Sequence, residues 1–263
     1  MTSTQQRKYY YVSDLHIDVN KTIPFDTYID NNKQNDNVLI IAGDLITTWN
    51  PELVISFLTF CKTKFETVIY ILGNHEFHMS PHKYIDSTIN AYDKLCKKCG
   101  VVLLSYLNPY IKFENEIVIG VTLWANPYQF GKPLTFTNDI YAIPCMSVDR
   151  YTQLHIADMD SLTRTVSDFQ LKNEHRKLII VTHFSPLSEA SLNPKYKGNP
   201  VNTFFCTPLY DYMKTISSKG TYWIYGHTHH NTTEIVDNVT VVSNCFGHGH
   251  ECKDFSKNKY ILM

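Results

Sequence analysis

Residues 38–44, Val38-Leu39-Ile40-Ile41-Ala42-Gly43-Asp44, decide the fold. Five consecutive apolar residues leave a strand no polar face, so it must be buried on both sides, as in the parallel sheets of α/β proteins. The run stops at a glycine, which lets the backbone turn sharply, and the next residue is a carboxylate. In open α/β sheets the crevice beyond the carboxyl ends of the strands is where ligands bind. The same construction recurs on either side. Tyr9–Ser13 leads into Asp14-Leu15-His16, and Val68–Leu72 into Gly73-Asn74-His75-Glu76. Leu178–Thr182 leads into His183, and Tyr222–Tyr225 into Gly226-His227-Thr228-His229. Each block alone is weak, because a lone Asp after a strand is commonly a turn residue. A His-x-His pair shares one face only where the chain is extended. Five such strand ends in one chain, three of them preceded by glycine, form a constellation able to gather metal ligands on one rim.

The rest of the chain fits around these blocks. Further strands are expected at Val101–Leu104, Ile117–Val121, Thr233–Val236 and Val239–Ser243, with Asp237-Asn238 as a tight hairpin turn. Helices are expected at Pro51–Lys64, His82–Lys98, Tyr151–Glu174 and Pro208–Ser217. Pro51 and Pro208 suit a first helical turn, with Asn50 and Thr207 as caps. Leu154, Met159, Leu162, Val166 and Phe169 would line the buried face of the third helix. Strands alternating with helices imply an α/β layered fold, read as a single domain over residues 1–263. Two long irregular stretches, Ala125–Arg150 and Phe184–Thr207, are the places to look for substrate contacts.

A net charge of -1 and a pI near 6.8 argue against nucleic acid as the main partner. No apolar run approaches the roughly 20 residues of a membrane span, and the N-terminus lacks the apolar stretch of a signal peptide. A cytoplasmic protein that does not engage the membrane is expected. The seven cysteines are scattered and expected to be reduced; Cys96 and Cys99, without a second pair, read as two cysteines near a helix end.

Taken in order, Asp14-Leu15-His16, Gly43-Asp44, Gly73-Asn74-His75-Glu76, His183 and Gly226-His227-Thr228-His229 resemble the blocks of the calcineurin-like metallophosphoesterase superfamily. Thr122-Leu123-Trp124 and Thr182-His183-Phe184-Ser185-Pro186 look like a small, uncharacterised phosphoesterase branch of it. The resemblance implies a four-layer α/β/β/α sandwich: two packed mixed sheets flanked by helices, with a metal site at the carboxyl ends of the strands. It implies two divalent metal ions. Asp14, His16 and His229 would hold the first, and Asn74, His183 and His227 the second, with Asp44 bridging. His75 would be catalytic, facing the scissile phosphate. Protein Ser/Thr phosphatases of the superfamily carry an arginine shortly after the second block. Residues 43–49 have none, which argues against that role.

The donor chemistry agrees. Two divalent ions against two carboxylates and a bridging hydroxide leave a positive surplus that receives phosphate, and neutral His and Asn ligands preserve it. Nitrogen and oxygen donors without Cys suit Mn, Fe, Zn or Ni; family habit makes Mn the expected ion. The expected reaction is hydrolysis of a small phosphodiester such as a nucleotide, by attack of the hydroxide. A small-molecule phosphomonoesterase is the nearest alternative. A protein-binding scaffold on the same fold is the alternative of another class, disfavoured because every ligand is retained. Asn74 and His75 would touch substrate. So would Arg150, Lys195 and Lys197, which lie near Tyr128, Phe130, Phe136, Tyr141 and Tyr196, although such aromatics also serve simply to anchor loops. His248 and His250 are expected to be surface residues.

Overall fold

Strand β1 (Lys8–Val12), β2 (Gln34–Ala42), β3 (Phe65–Ile71) and β4 (Val102–Leu104) pair in parallel, and β11 (Tyr260–Leu262) closes the edge antiparallel to β1. A second sheet runs β5-β6-β7-β8-β10-β9. In it β6 (Glu116–Val121), β7 (Lys177–Thr182), β8 (Thr221–Tyr225) and β10 (Val239–Ser243) are parallel, while β5 (Tyr110–Lys112) and β9 (Thr233–Val236) are antiparallel edges. The computed structural model describes residues 6–30, 32, 34–129, 137–171, 177–188, 191–216 and 220–263.

Side-chain alternation along the strands builds two cores. Tyr9, Tyr11, Val38, Ile40, Ile69 and Ile71 of the first sheet meet Val118, Ile179, Val181, Ile224 and Val242 of the second, forming the layer between the sheets. Their neighbours Tyr10, Val12, Leu39, Ile41, Val68 and Tyr70 face outward onto helices. There α2 (Pro51–Lys62) contributes Phe57 and Leu58, and α3 (Ile85–Cys99) contributes Ile89 and Tyr92. On the far side α5 (Val148–Leu171) lays Leu154, Leu162 and Val166 over the second sheet, with Met159 and Phe169 partly buried beside them. The central strands are therefore covered on both faces, which is why Val38–Ala42 and Leu178–Val181 are apolar. The architecture is the α/β/β/α sandwich. Each fully buried Val, Leu or Ile adds about 1.5–3 kcal/mol relative to exposure.

Asn50 caps α2 as expected, its side chain accepting from Leu53 N at 3.1 Å. The β9–β10 hairpin pairs Val236 with Val239, so Asp237-Asn238 is a two-residue turn, with Asp237 at φ 53°. Thr207 does not cap a helix: its hydroxyl accepts from Asn126 N at 3.3 Å, and α6 (Tyr210–Thr215) starts after Leu209. Helix α3 begins at Ile85 rather than His82. The expected end of the third helix at Glu174 lies outside the described residues. Strands β5 and β11, three residues each, are too short to show a period in sequence, as are the one-turn helices α1 (Phe25–Tyr28) and α4 (Asn138–Ala142). None of the seven cysteines forms a disulfide, and among the described residues no helix is long and apolar enough to cross a membrane.

Candidate metal centre

The carboxyl ends of the parallel strands of both sheets meet at one edge of the sandwich. Ser13, just past β1, bridges to Cys245, just past β10, and so joins the sheets there. The β1 and β2 loops are laced together by Asp14 N to Gly43 O at 3.0 Å and His16 N to Asp44 O at 3.1 Å. Thr122, past β6, donates its hydroxyl to Leu72 O at 2.9 Å. The backbone is strained where these loops converge. Asp14, His16, Asp44, His227 and His229 have φ of 54°, 42°, 54°, 67° and 46°. A non-glycine residue in this region costs about 1–3 kcal/mol. Five of the seven residues read as ligands bear that cost, and each side chain is aimed by it.

Glu76 holds two of the strand ends in place. Its fully buried carboxylate accepts from Asp44 N (3.1 Å), Leu45 N (2.7 Å), Gly73 N (2.7 Å) and Tyr70 Oη (2.6 Å). Burial pushes its carboxyl up to about 7, against the pull of these donors. Glycine is required on both approaches: a Cβ at Gly43 would enter the His183 ring, and one at Gly73 the Asp44 carboxylate. Glu76→Gln would turn an acceptor oxygen into a donor against backbone N–H groups. It is expected to cost at least about 2 kcal/mol of folding stability, read from urea denaturation midpoints; an unchanged midpoint would show that Glu76 is dispensable.

The seven expected ligands come together in two foci. In the first, His229 Nε2 lies 3.3 Å from both Asp14 Oδ1 and His16 Nε2. In the second, His183 Nε2 lies 3.3 Å from Asp44 Oδ2 and 3.1 Å from Asn74 Oδ1, and His227 joins it with a ligand atom within 4.8 Å. Asp44 belongs to a close group with His183 and His227 and to another with His16 and His75, the position a bridging carboxylate needs.

The donor set fits metal binding in a second respect. Each of these four histidines gives one ring nitrogen to a protein partner. His183 Nδ1 pairs with Ala42 O (2.9 Å), His16 Nδ1 with Thr47 Oγ1 (3.2 Å), His227 Nε2 with Phe204 O (3.3 Å) and His229 Nδ1 with the Glu251 carboxylate. Three of those partners only accept, so in the neutral ring the opposite nitrogen turns its lone pair to the cluster, the usual arrangement around a metal. Asn74 is oriented the same way. Its Nδ2 donates to Asp139 Oδ1 at 2.8 Å, which leaves its Oδ1 facing His183.

The electrostatics call for cations. Burial alone would raise the carboxyls of Asp14 and Asp44. Hydrogen bonds and charge from His229 and His183 reverse this and hold both below the usual carboxylate range. Burial disfavours charge on His183 and His229 as well. The Asp44 charge nevertheless raises His183 to about 9, and bonds to Asp14 and Glu251 raise His229 to about 10. Burial takes His16 to about 3 and His227 to about 4. With no other cation, protons on His183 and His229 balance the buried carboxylates, and a divalent ion must displace them. Because both values lie above neutrality, metal loading at pH 7 is expected to release about two protons. Affinity should rise with pH and level off above about 10. Calorimetry in buffers of different ionisation enthalpy measures this; loading without proton release would contradict it.

His75 sits between the foci. Its backbone N donates to Asp44 Oδ1 at 3.0 Å, and its Nε2 lies 3.9 Å from Asp44 Oδ2. Its Nδ1 is buried with no hydrogen-bond partner among the described residues, and the ring packs on His78 at 4.3 Å. Burial holds it below the ordinary imidazole value, with Asp44 opposing.

A cavity of about 550 Å³ opens from this edge, walled by the second long loop. Lys195 lines it together with Asn74 and His75. Arg150 does not: it turns to Asp86 (3.8 Å) and Gln153 (3.3 Å). Lys197 is exposed and is absent from the wall. Tyr141 is exposed and also away from it. Phe130 and Phe136 lie outside the described residues. His248 is exposed, as expected of a surface residue, yet its ring reaches the site. It stacks on His16 with ring centroids 4.0 Å apart and lines the cavity. His250 stacks on Phe246 at 4.5 Å, outside the cavity wall. Asp139, which also holds His78 Nε2 at 2.7 Å, was not foreseen either. It lies in the first turn of the short helix α4, with no strand before it to mark it.

The sequence model of the calcineurin-like phosphoesterases matches residues 8–231. An uncharacterised protein of Acanthamoeba polyphaga mimivirus, L509, is 25% identical over 270 residues, covering 95% of each chain. The crystal structure of phosphopantetheinyl hydrolase (PptH) from Mycobacterium tuberculosis is similar in fold, with a TM-score of 0.71 over 98% of this chain and 96% of that one at 16% identity. The family match contains all five strand-end blocks, and by it this chain belongs to the calcineurin-like phosphoesterases, metal-dependent hydrolases of phosphate esters.

Proposed function

We propose that this hydrolase cleaves a small phosphodiester, such as a nucleotide, at a two-ion centre held by Asp14, His16 and His229 on one side and Asn74, His183 and His227 on the other, with Asp44 shared and manganese as the working ion. The observation that carries the reading is the pair of ligand foci with Asp44 common to both. The cavity volume suits a small molecule. Among the described residues Lys195 is the only lysine or arginine on its wall, and Glu251 lines the same cavity. That balance favours the single negative charge of a diester over the two of a monoester.

When bound, the ions would supply Lewis-acid activation of the phosphate and of water. The chain's own residues do the rest. Asp139 fixes the Asn74 amide so that its oxygen faces inward. Phe184 and Phe205 pack on the His227 ring at 4.1 and 4.6 Å and keep water from that side. His75 is neutral at rest because burial disfavours its charge. An arriving phosphate favours the protonated ring, which can then donate to the leaving oxygen.

Parallel assays on bis-p-nitrophenyl phosphate and p-nitrophenyl phosphate with added Mn²⁺ test the substrate class. The diester should show the higher kcat/KM. A clear preference for the monoester would make the chain a phosphomonoesterase. Inactivity on both with every divalent ion would favour a scaffold role.

A further inference from the structure

We propose that His248 is an additional ligand of the first ion, giving that site a third imidazole beside His16 and His229. The inference rests on the two-ion reading above and extends it to a residue outside the five sequence blocks.

Ring nitrogens of His16, His229 and His248 all lie within 4.8 Å of one another. The His248 ring stacks on His16 at 4.0 Å and meets His229 at 5.2 Å. Three nitrogens at this spacing can converge on one ion after a small side-chain rotation, since ligands about 2.1 Å from a metal stand about 3–4 Å apart. His248 is exposed on its outer side, so its ring is free to make that rotation.

The backbone beneath it is fixed to the loop that carries Asp14 and His16. Gly247 N donates to Asp14 O at 2.9 Å, and Gly249 N to Asn20 Oδ1 at 2.9 Å. Asn20 Nδ2 in turn donates to Leu15 O at 2.9 Å and Gly247 O at 3.4 Å. Glu251 joins the two histidine loops, accepting from His229 Nδ1 and from His248 N. These ties hold the His248 backbone beside the loop that carries Asp14 and His16.

The chemical consequence is selectivity. A neutral nitrogen donor adds affinity without reducing the positive charge that receives phosphate. Imidazole-rich sites favour Zn²⁺, Ni²⁺ and Fe²⁺ over Mn²⁺, which prefers oxygen. His248 should therefore matter more for zinc than for manganese.

The test is metal binding by the full-length protein, with zinc and manganese titrated separately into wild type, His248→Ala and the control His250→Ala. Cobalt absorption spectra report the donor set independently of turnover. Wild type and His250→Ala should bind two zinc ions. His248→Ala should stay folded by circular dichroism, lose at least about tenfold in zinc affinity at one site, lose less for manganese, and show a changed cobalt spectrum. His248→Ala with wild-type zinc affinity at both sites and an unchanged cobalt spectrum would overturn the proposal. Wild type binding fewer than two ions would instead overturn the two-ion reading on which it stands.

Discussion

Asp44→Ala is expected to remove both ions and to abolish turnover, by about 10³-fold or more. Among the described residues Asp44 is the carboxylate that groups both with His16 of the first focus and with His183 and His227 of the second. It is fully buried and held ionised by the surrounding histidines. Losing it leaves His183 with Asn74 Oδ1 at 3.1 Å as its remaining acceptor on that side, and takes away charge that both cations need. Metal activation is worth several kcal/mol of transition-state stabilisation, and each 1.4 kcal/mol or so is a factor of ten. Elemental analysis of the dialysed variant, alongside steady-state rates, checks both halves. A variant that kept two ions would remove Asp44 from its bridging role. Asp14→Ala, by contrast, should lose one ion before the other, because Asp14 belongs to the first focus alone.

His75→Ala is expected to do the reverse: keep its metal and lose about 10²–10⁴-fold in kcat, the range for a positioned general acid. The ring lies against the shared carboxylate, and its Nδ1 is buried with no hydrogen-bond partner among the described residues. It lines the cavity and is partly open to it. Because the ligands are untouched, metal content should match wild type. The loss should shrink for substrates with a good leaving group, such as a p-nitrophenolate ester, which needs little protonation. An equal loss on good and poor leaving groups would count against an acid role, and a loss of metal would make His75 a ligand.

Much of this was legible in the sequence because burial on both faces is written directly into composition. Val38–Ala42 and Leu178–Val181 carry no polar residue and sit in the middle of their sheets. Where such a run ends in Gly-Asp or Gly-Asn, the polar side chain has only the sheet edge to occupy, and Asp44 and Asn74 are found there. The strand-end pattern did not mark His248 because four residues separate β10 from it. The intervening loop first crosses to the β1 side, and nothing local in the sequence encodes that path. Asp139 was missed for a different reason. Its partners Asn74, His78 and Tyr151 are distant in sequence except for the last, so its role exists only in the fold. Arg150 and Lys197 failed in the opposite sense: a cation in a long loop reads as a phosphate contact whichever way it points. Arg150 in fact turns to Asp86. The left-handed backbone at Asp14, His16, Asp44, His227 and His229 could not be read either, since none of them is glycine.

The two-ion centre itself is tested most directly by anomalous scattering from crystals grown with Mn²⁺. The arrangement of side chains predicts two metal peaks, about 3.5–4 Å apart, with Asp44 between them. One should lie against Asp14, His16 and His229, the other against Asn74, His183 and His227. A single peak, or a pair that Asp44 does not touch, would contradict it.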